Sequence, residues 1–511
     1  MGIPSYYRTL ISKMPHAIKN ASPAGVGTLV VDMNCMIYHV LREPRMMAHT
    51  YPGPSDLSLH RAWERKLQDE VCSYLTHIWK AAGAPTSVYV ALDGVVPYAK
   101  IKQQRYRRFK SAAMKSTTDV QWDTNAITPG TEFMAAMGDA LRRVGSTHGW
   151  TISDTSSPGE GEHKILQWLR EKKPDTPTVV YGLDADLILL CLLAGGSIYL
   201  LREAMAFGKM IRHKGSNEVE LGFFEVDTLR SSLQRGTEWS KEQFYDYIFG
   251  MSFCGNDFLP TGLSLRIRDE GHAILLNGLD TLWKSKKHLV SFHSEGHAIP
   301  NAEGLLAFAK WIAGQEERLI LTTIKRKMTA RMGESDEDNL PLKEQAEQPL
   351  IAHGTVLKQD WRTTYASLAL GDTCVEHRKK RVADFWQGWC WILDYYQGLA
   401  VDLEWVYPSG YPPLWADLCD HFVLPSLVSP VETTVPLKPT EQLALVLPLS
   451  SWGLLLKTEF RNLPSKMPQY WPQGFAVETF GKRFGWECEP MIPMLTPSRM
   501  RYEVARRNLT N

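Results

Sequence analysis

Short apolar runs alternate with longer amphipathic stretches along the chain up to about residue 200. Runs of this length that are rich in β-branched residues predict buried strands, here over residues 27–31, 87–92, 150–153, 178–183 and 197–201. Helix-length segments separate them, for example residues 60–81 and 131–144. This alternation indicates an α/β body with a mainly parallel central sheet flanked by helices. In such sheets, functional sites form beyond the carboxyl ends of the strands.

The pattern becomes helical after residue 262. Residues 305–321 predict one long helix, residues 361–397 predict helices rich in aromatic side chains, and residues 441–447 predict a further helix. Between them, the acidic and polar stretch over residues 333–348 is the best candidate for a linker.

Composition restricts the class of protein without defining its function. With 44% hydrophobic and 22% charged residues and a net charge of +1, the chain is typical of globular proteins, so any nucleic-acid binding must come from local patches. The eight cysteines form no C-x-x-C pair, which indicates free thiols in a reducing compartment. No signal peptide and no apolar stretch of membrane-spanning length are visible. We therefore expect an intracellular protein that does not bind membranes.

Carboxylates recur where the predicted strands end and in nearby turns. The seven acids of this set are Asp32, Asp93, Glu160, Glu162, Asp184, Asp186 and Asp257. One such aspartate usually caps the following helix, but seven acids close together would repel one another unless cations neutralised them. Oxygen ligands alone favour Mg²⁺ or Mn²⁺. Two such ions about 3.5–4 Å apart would stabilise the attacking and leaving oxygens of phosphodiester hydrolysis.

A short basic segment, KIKQQRYRRFK, follows Asp93. Read as a helix, it places four polar side chains on a single face: Lys100, Gln104, Arg107 and Arg108. Arginine forks and a lysine around one point make a strong phosphate receptor. The alternatives are a solvated basic face or a general patch for nucleic-acid backbones, and charge alone does not separate them.

Longer motifs carry a family resemblance. The segments MGIPSYYR, VVDMNCMIYH, ALDGVVPYAKIKQQRYRRF, WDTNAITPGTEFM, GEGEHKI, YGLDADLI, LLRE and CGNDFLP resemble, in this order, those of the XRN 5′→3′ exoribonucleases. Further on, GWCWILDYYQG, EWVYPSGYPP, PLKPTEQLALVLP and FGKRFGWE are similar to that family's second conserved region. The resemblance spans residues 1 to about 495. It implies a PIN/FEN-like nuclease core with a helical, aromatic-rich C-terminal region packed against it.

The resemblance also implies domain bounds. It predicts a catalytic region over residues 1–330, an acidic linker over 331–355, a second conserved region over 356–495 that encloses the active site, and a tail over 496–511. The implied activity is hydrolysis of 5′-monophosphorylated single-stranded RNA to 5′-mononucleotides. Separately, we expect a monomer that is located in the cytoplasm rather than the nucleus.

Particular residues acquire roles through the resemblance. The seven acids would hold two catalytic Mg²⁺ ions, for which Mn²⁺ could substitute, and the four polar residues of the basic helix match the family's 5′-monophosphate pocket. Pro97 and the N-terminal segment match elements that exclude duplex. Tyr38 stands where the family has a base-stacking histidine, with His39 one place later. Trp391 matches a position opposite Tyr38, although an aromatic residue at helical spacing is more often part of a core.

Two other functions compete with this interpretation. A flap-type, structure-specific DNA nuclease would use the same carboxylate chemistry. A decayed nuclease that only binds RNA would keep the fold without hydrolysis. The run HRKKR over residues 377–381 is open to three interpretations: a nuclear-import signal, an RNA-tracking patch or a solvated face.

Overall fold

The computed structural model describes residues 2–3, 5–114, 120–206, 209–212, 219–330, 342, 345–353, 356–424, 435–456 and 458–508. Most of the predicted linker over 333–348 lies outside these residues.

A seven-stranded sheet forms the centre of the fold, in the order β1-β9-β6-β5-β2-β3-β4. Strands β6, β5, β2, β3 and β4 run parallel, and β9 and β1 continue the sheet antiparallel at one edge. The strands of this sheet are β1 (Ile18–Lys19), β2 (Thr28–Asp32), β3 (Ser87–Ala91), β4 (Thr151–Ser153), β5 (Thr178–Tyr181), β6 (Ile198–Glu203) and β9 (Leu221–Glu225). The prediction of a mainly parallel sheet is confirmed, because the five predicted strands pair in parallel. Each of them begins and ends within two residues of its expected bounds.

Short antiparallel pairs lie outside the central sheet. They are β7 (Met205–Ala206) with β8 (Lys209–Met210), β10 (Val290–Phe292) with β11 (Ala298–Pro300), β12 (Ile351–Ala352) with β13 (Val356–Leu357), and β14 (Val477–Glu478) with β15 (Glu489–Pro490).

Helices cover both faces of the sheet. In the first part of the chain they are α1 (Tyr6–Lys13), α2 (Met33–Leu41), α3 (Pro44–Met47), α4 (Leu57–Ala81), α5 (Tyr98–Met114), α6 (Glu132–His148), α7 (Gly161–Lys172), α8 (Asp186–Ala194), α9 (Val226–Gln234) and α10 (Lys241–Gly250). Alternate strand residues face opposite sides: Val30 and Val180 pack with α7, α8 and α10, whereas Leu29 and Val179 pack with α2, α4 and α6. Burial on both faces explains why these strands are continuous apolar runs.

The second part of the chain is helical and rich in aromatic side chains. Its helices are α11 (Gly271–Lys284), α12 (Ala302–Ala313), α13 (Glu316–Met328), α14 (Trp361–Leu370), α15 (Val375–Gln397), α16 (Trp415–Asp420), α17 (Pro439–Val446), α18 (Leu463–Lys466) and α19 (Pro497–Asn508). Trp386 and Trp389 of α15 are fully buried in the same core as α10 and α12. Met500 of α19 is buried beside residues of α5 and α17. Among the described residues, no helix combines the length and apolar character that crossing a bilayer requires.

The prediction of one long helix over 305–321 is wrong. Two helices, α12 and α13, meet at Gly314 and Gln315. The break aims the carboxylate of Glu316, the first residue of α13, at the backbone N–H groups of Trp415 and Ala416, which donate to it at 2.9 and 3.2 Å. This contact caps the start of α16, which no local pattern around residue 314 reveals.

Candidate active site

The central strands end level with one another and bring acidic residues to one edge of the sheet. Asp32 is the last residue of β2 and lies beside Ala91 of β3. Val31 lies beside Tyr181, the last residue of β5, three residues before Asp184. Asp93 follows β3 by two residues. The parallel register therefore brings together carboxylates that are far apart in the sequence.

Six of the seven predicted acids line one cavity of about 140 Å³. They are Asp32, Asp93, Glu160, Glu162, Asp184 and Asp257. All four residues of the predicted phosphate pocket line the same cavity, and so does Tyr38. The acids at the strand ends and the polar residues of the basic segment were predicted independently, and they line the same cavity.

Asp186 lies behind this cavity. It is the first residue of α8 and is almost fully buried, and its Oδ1 accepts the backbone N–H of Ile3 at 2.9 Å. Burial, followed by repulsion from Asp257, raises the pKa of Asp186 to about 7. The structure therefore brings Asp186 close enough to Asp257 for their charges to interact, and it ties Asp186 to the N-terminal segment.

Asp93 is fixed by two groups. Asn34 Nδ2 donates to Asp93 Oδ2 at 3.0 Å, and the backbone N–H of Asp93 donates to Asn34 Oδ1 at 3.1 Å. The backbone N–H of Gly161 donates to Asp93 Oδ1 at 2.7 Å. Sequence reasoning assigned no role to Asn34, although its place in the first turn after β2 was a usable signal.

Lys100 connects the acids to the basic helix. Its Nζ lies 2.5 Å from Glu160 Oε2 and 2.7 Å from Asp257 Oδ2. Burial alone lowers the pKa of Lys100, but the carboxylates of Asp257 and Glu160 outweigh burial and hold that pKa well above its usual value. Gln103, which sequence reasoning missed, donates to Asp257 Oδ1 at 3.3 Å.

The remaining acids are more crowded than one lysine can neutralise. Burial, and then the charges of Asp93 and Asp184, raise the pKa of Asp32 well above its usual value. Burial likewise raises the pKa of Glu162 well above its usual value, despite the opposing charge of Lys100. Carboxylates that repel one another in a desolvated enclosure favour the binding of cations.

The donor set fits a divalent metal ion. Glu162 Oε2 is buried without a hydrogen-bond partner among the described residues. Glu160, Glu162 and His163 each offer a ligand atom, and these atoms lie within 4.8 Å of one another. Burial lowers the pKa of His163 to about 3, so its imidazole is neutral near pH 7. Oxygen donors dominate the cavity, as Mg²⁺ and Mn²⁺ require.

The cationic side chains of helix α5 form two groups, one that lines the cavity and one that binds the C-terminal region. Lys100, Arg107 and Arg108 face the cavity. On its other faces, Lys102 Nζ donates to the carbonyl of Tyr407 at 2.9 Å, and Arg105 Nη1 donates to the carbonyl of Leu445 at 2.7 Å. Three of the six positive charges, those of residues 102, 105 and 110, thus bind backbone carbonyls of the C-terminal region. This division argues against a merely solvated basic face.

The phosphate-pocket side chains are partly held in place. Arg108 Nη1 donates to Thr128 Oγ1 at 2.5 Å and to Asn125 Oδ1 at 3.3 Å. Burial lowers the pKa of Arg108 to about 10, so the guanidinium stays charged at neutral pH. Gln104 Oε1 is buried without a hydrogen-bond partner among the described residues. A fixed guanidinium beside an unsatisfied amide suits the recognition of a small anionic group.

Of the predicted base-stacking residues, only Tyr38 reaches the cavity. His39 is buried on another face of α2, where its ring lies 4.6 Å from that of Tyr74 and its Nε2 lies 3.4 Å from Glu43. Consecutive residues of a helix point in different directions, so the structure does not bring His39 to the site.

Neither Trp391 nor Pro97 lines the cavity that holds the acids. Trp391 is buried between Tyr395 and Trp405, at centroid distances of 4.7 and 5.1 Å, and donates from Nε1 to the carbonyl of Asp402. The member of this stack that reaches the site is Tyr395, whose hydroxyl donates to Glu160 Oε1 at 3.1 Å. Pro97 is buried at the start of α5, where its carbonyl accepts the backbone N–H of Lys100.

The run over residues 377–381 is engaged in surface contacts. Lys379 pairs with Glu376 at 3.0 Å, and Lys380 pairs with Asp384 at 2.9 Å. These short-range pairs on α15 favour the interpretation as a solvated helix face.

A parallel sheet that gathers acids at one edge, beside a helix with a fixed cationic face, is typical of nucleases that use metal ions. Comparison with known proteins also indicates a nuclease. A family model described as the XRN 5′-3′ exonuclease N-terminus matches residues 1–204, and one described as the Xrn1 helical domain matches residues 357–510. The chain belongs to the XRN family.

Similar proteins are named 5′-3′ exoribonucleases. The 5′-3′ exoribonuclease 1 of Homo sapiens is 27% identical over 98% of this chain and 34% of its own length. The 5′-3′ exoribonuclease 2 of Gallus gallus is 24% identical over 98% of this chain and 69% of its own length. For the 5′-3′ exoribonuclease 1 of Saccharomyces cerevisiae the identity is 30%, over 54% of this chain and 20% of the relative. The chain thus spans about a third of the human relative's length.

Proposed function

We propose that the chain is a metal-dependent 5′→3′ exoribonuclease that hydrolyses single-stranded RNA bearing a 5′-monophosphate and releases 5′-mononucleotides. One observation carries this proposal: six acids and the four-residue cationic pocket line the same small cavity. A receptor for a terminal phosphate directly beside the hydrolytic acids sets the distance from the chain end to the cleaved bond. The names of the relatives support the same polarity and substrate.

In this proposal, the 5′-phosphate binds Lys100, Gln104, Arg107 and Arg108, and Tyr38 offers its ring to the first base. The proposal includes exclusion of a longer 5′ extension such as a cap, which the resemblance to the XRN family implies. Lys100, which contacts Glu160 and Asp257, joins the phosphate to the acids. The scissile linkage then lies over the carboxylates, where desolvation strengthens every charge interaction.

Mg²⁺ would be held by the acids Asp32, Asp93, Glu160, Glu162, Asp184, Asp186 and Asp257. When bound, such ions stabilise charge on the phosphoryl oxygens and lower the pKa of water. The chain's own groups orient these ligands: Asn34 and Gly161 hold Asp93, and Tyr395 holds Glu160. We propose two ions, with Mn²⁺ as a substitute, and a monomer that acts in the cytoplasm.

The two competing functions give different results in one experiment. Wild-type protein and an Asp184→Ala variant are incubated with Mg²⁺ and either 5′-phosphorylated RNA or flap DNA, while RNA binding is measured separately. The proposal predicts that wild-type protein degrades the RNA in preference to the flap, and that the variant binds RNA without degrading it. Preferential cleavage of the flap would favour the DNA nuclease. RNA binding without degradation by wild-type protein would favour the decayed nuclease.

A further inference from the structure

A wide cleft opens from the catalytic cavity. It encloses about 1300 Å³ and shares Gln103, Arg107 and Asp257 with the catalytic cavity. Its wall also includes Arg268 and Trp486, which belong to distant parts of the chain. An RNA strand whose 5′ end reaches the acids through this cleft passes along that wall.

Trp486 forms an exposed stack on the cleft wall. Its ring is nearly parallel to that of Phe484, with an interplanar angle of 5° and a centroid distance of 6.2 Å. The guanidinium of Arg268 lies 4.5 Å from the Phe484 centroid and 5.2 Å from the Trp486 centroid. Trp486 nevertheless remains 39% exposed. A large aromatic surface supported by a cation and open to a cleft is suited to stacking a planar ligand.

Helix α5 holds this aromatic stack at a fixed distance from the acids that Lys100 contacts. Lys110 Nζ, on α5, donates to the carbonyls of Gly485 and Cys488 at 2.7 and 2.8 Å, on either side of Trp486. Lys110 follows Lys100 by ten residues, which corresponds to about 15 Å along a helix axis. Counted from Lys100 and the acids that it contacts, that distance corresponds to about four nucleotides at about 3.4 Å each, the rise that stacked nucleotides have in a duplex strand.

The charges around the stack favour a polyanion. Arg268 and Lys482 line the cleft together with Arg107 and Lys110 of α5. The nearby carboxylate of Glu487 is already engaged, because it accepts the backbone N–H of Arg483 at 2.7 Å and lies 3.2 Å from Arg266 Nη2. A cationic groove with an exposed aromatic ring is the usual design for binding single-stranded nucleic acid.

We propose that Trp486, supported by Arg268, is a base-stacking platform for the single-stranded RNA several nucleotides from its 5′ end. This inference rests on the proposed function, since it names a second contact for the same substrate. Stacking is tolerant of sequence because every base has an aromatic face. The platform therefore holds the strand behind the cleaved nucleotide without selecting particular RNAs.

The test measures how affinity depends on RNA length. In an Asp184→Ala background, which prevents degradation, fluorescence anisotropy gives the Kd of 5′-phosphorylated RNAs of about three and about ten nucleotides, lengths that end before and extend past the platform. Trp486→Ala should weaken binding of the longer RNA about tenfold or more, as expected for one stacked base. The loss for the shorter RNA should be clearly smaller. Trp486→Phe should recover most of the affinity, because a phenyl ring still stacks.

Tyr502→Ala is the matched control, because Tyr502 is 57% exposed beside Arg499 but does not line the cleft. It should bind both RNAs like the parent. Equal Kd values for Trp486→Ala and the parent, or equal losses at both lengths, would overturn the platform and leave the surface to another partner such as a protein. Absence of RNA degradation by wild-type protein, assayed in parallel, would instead overturn the proposed function.

Discussion

Removing the hydroxyl of Tyr395 tests whether the second half of the chain positions the acids. Tyr395→Phe deletes the hydrogen bond to Glu160 Oε1, which measures 3.1 Å, and keeps the ring that packs 3.9 Å from His163 and 4.7 Å from Trp391. Burial raises the pKa of the Tyr395 hydroxyl well above its usual value, so it is a donor at any physiological pH.

The size of the effect follows from that contact. A hydrogen bond to a charged group contributes about 1.5–3 kcal/mol, and partners of metal ligands typically affect metal affinity about 10–100-fold. We therefore expect the Mg²⁺ concentration that gives half-maximal hydrolysis of 5′-phosphorylated RNA to rise about 10–100-fold. The assay is the initial rate of nucleotide release over a Mg²⁺ titration.

Tyr199→Phe provides the matched control, because the Tyr199 hydroxyl donates to Glu225 Oε1 at 3.2 Å far from the cavity. It should leave the Mg²⁺ dependence unchanged. Identical Mg²⁺ titrations for Tyr395→Phe and wild-type protein would refute the positioning of Glu160 by Tyr395. Equal shifts in both variants would show a general effect on stability instead.

Three further changes test other contacts. A Cβ at Gly161 would lie 2.7 Å from Asp32 Oδ1, so Gly161→Ala should lower kcat about 100-fold with little change in Tm; a wild-type rate would contradict this. Lys327→Met strands the buried carboxylate of Glu347, which lies 2.8 Å from Lys327 Nζ, and should lower the free energy of unfolding in urea by about 3–5 kcal/mol; a loss under about 1 kcal/mol would argue against the buried pair. Burial raises the pKa of Glu316 from 4.5 to about 7, so the folded chain binds an extra proton in that range and its stability should fall as pH rises through it. Glu316→Gln should flatten this part of the stability profile, and an unchanged slope would contradict the assignment.

The sheet and its acids were predictable because their causes are local. Buried parallel strands must be apolar along their whole length, so β2 and β5 are visible as runs, and the acids that follow them mark the sheet edge. The cationic face of α5 follows from helical spacing alone. Together these features predicted six acids and four polar residues of α5 that line one cavity.

Features that depend on distant contacts were not predictable. Tyr395 reaches Glu160 only because α15 packs against α7 and its neighbours. From the sequence, Trp391 of the same helix was instead expected to take part in the site. The break before Glu316 depends on the backbone of α16, about a hundred residues away. His39 and Tyr38 are adjacent and both aromatic, and only the packing of α2 against α4 decides which one reaches the cavity.

The most direct test compares two RNAs that differ only at the 5′ end. Wild-type protein with Mg²⁺ is followed over time on a 3′-labelled RNA that carries either a 5′-monophosphate or a 5′-hydroxyl, and the products are resolved by length. We expect stepwise loss of single nucleotides from the phosphorylated RNA and much slower loss from the hydroxyl RNA, because only the former engages Lys100, Gln104, Arg107 and Arg108. Equal degradation of the two RNAs, or products that arise from internal cuts, would contradict this expectation.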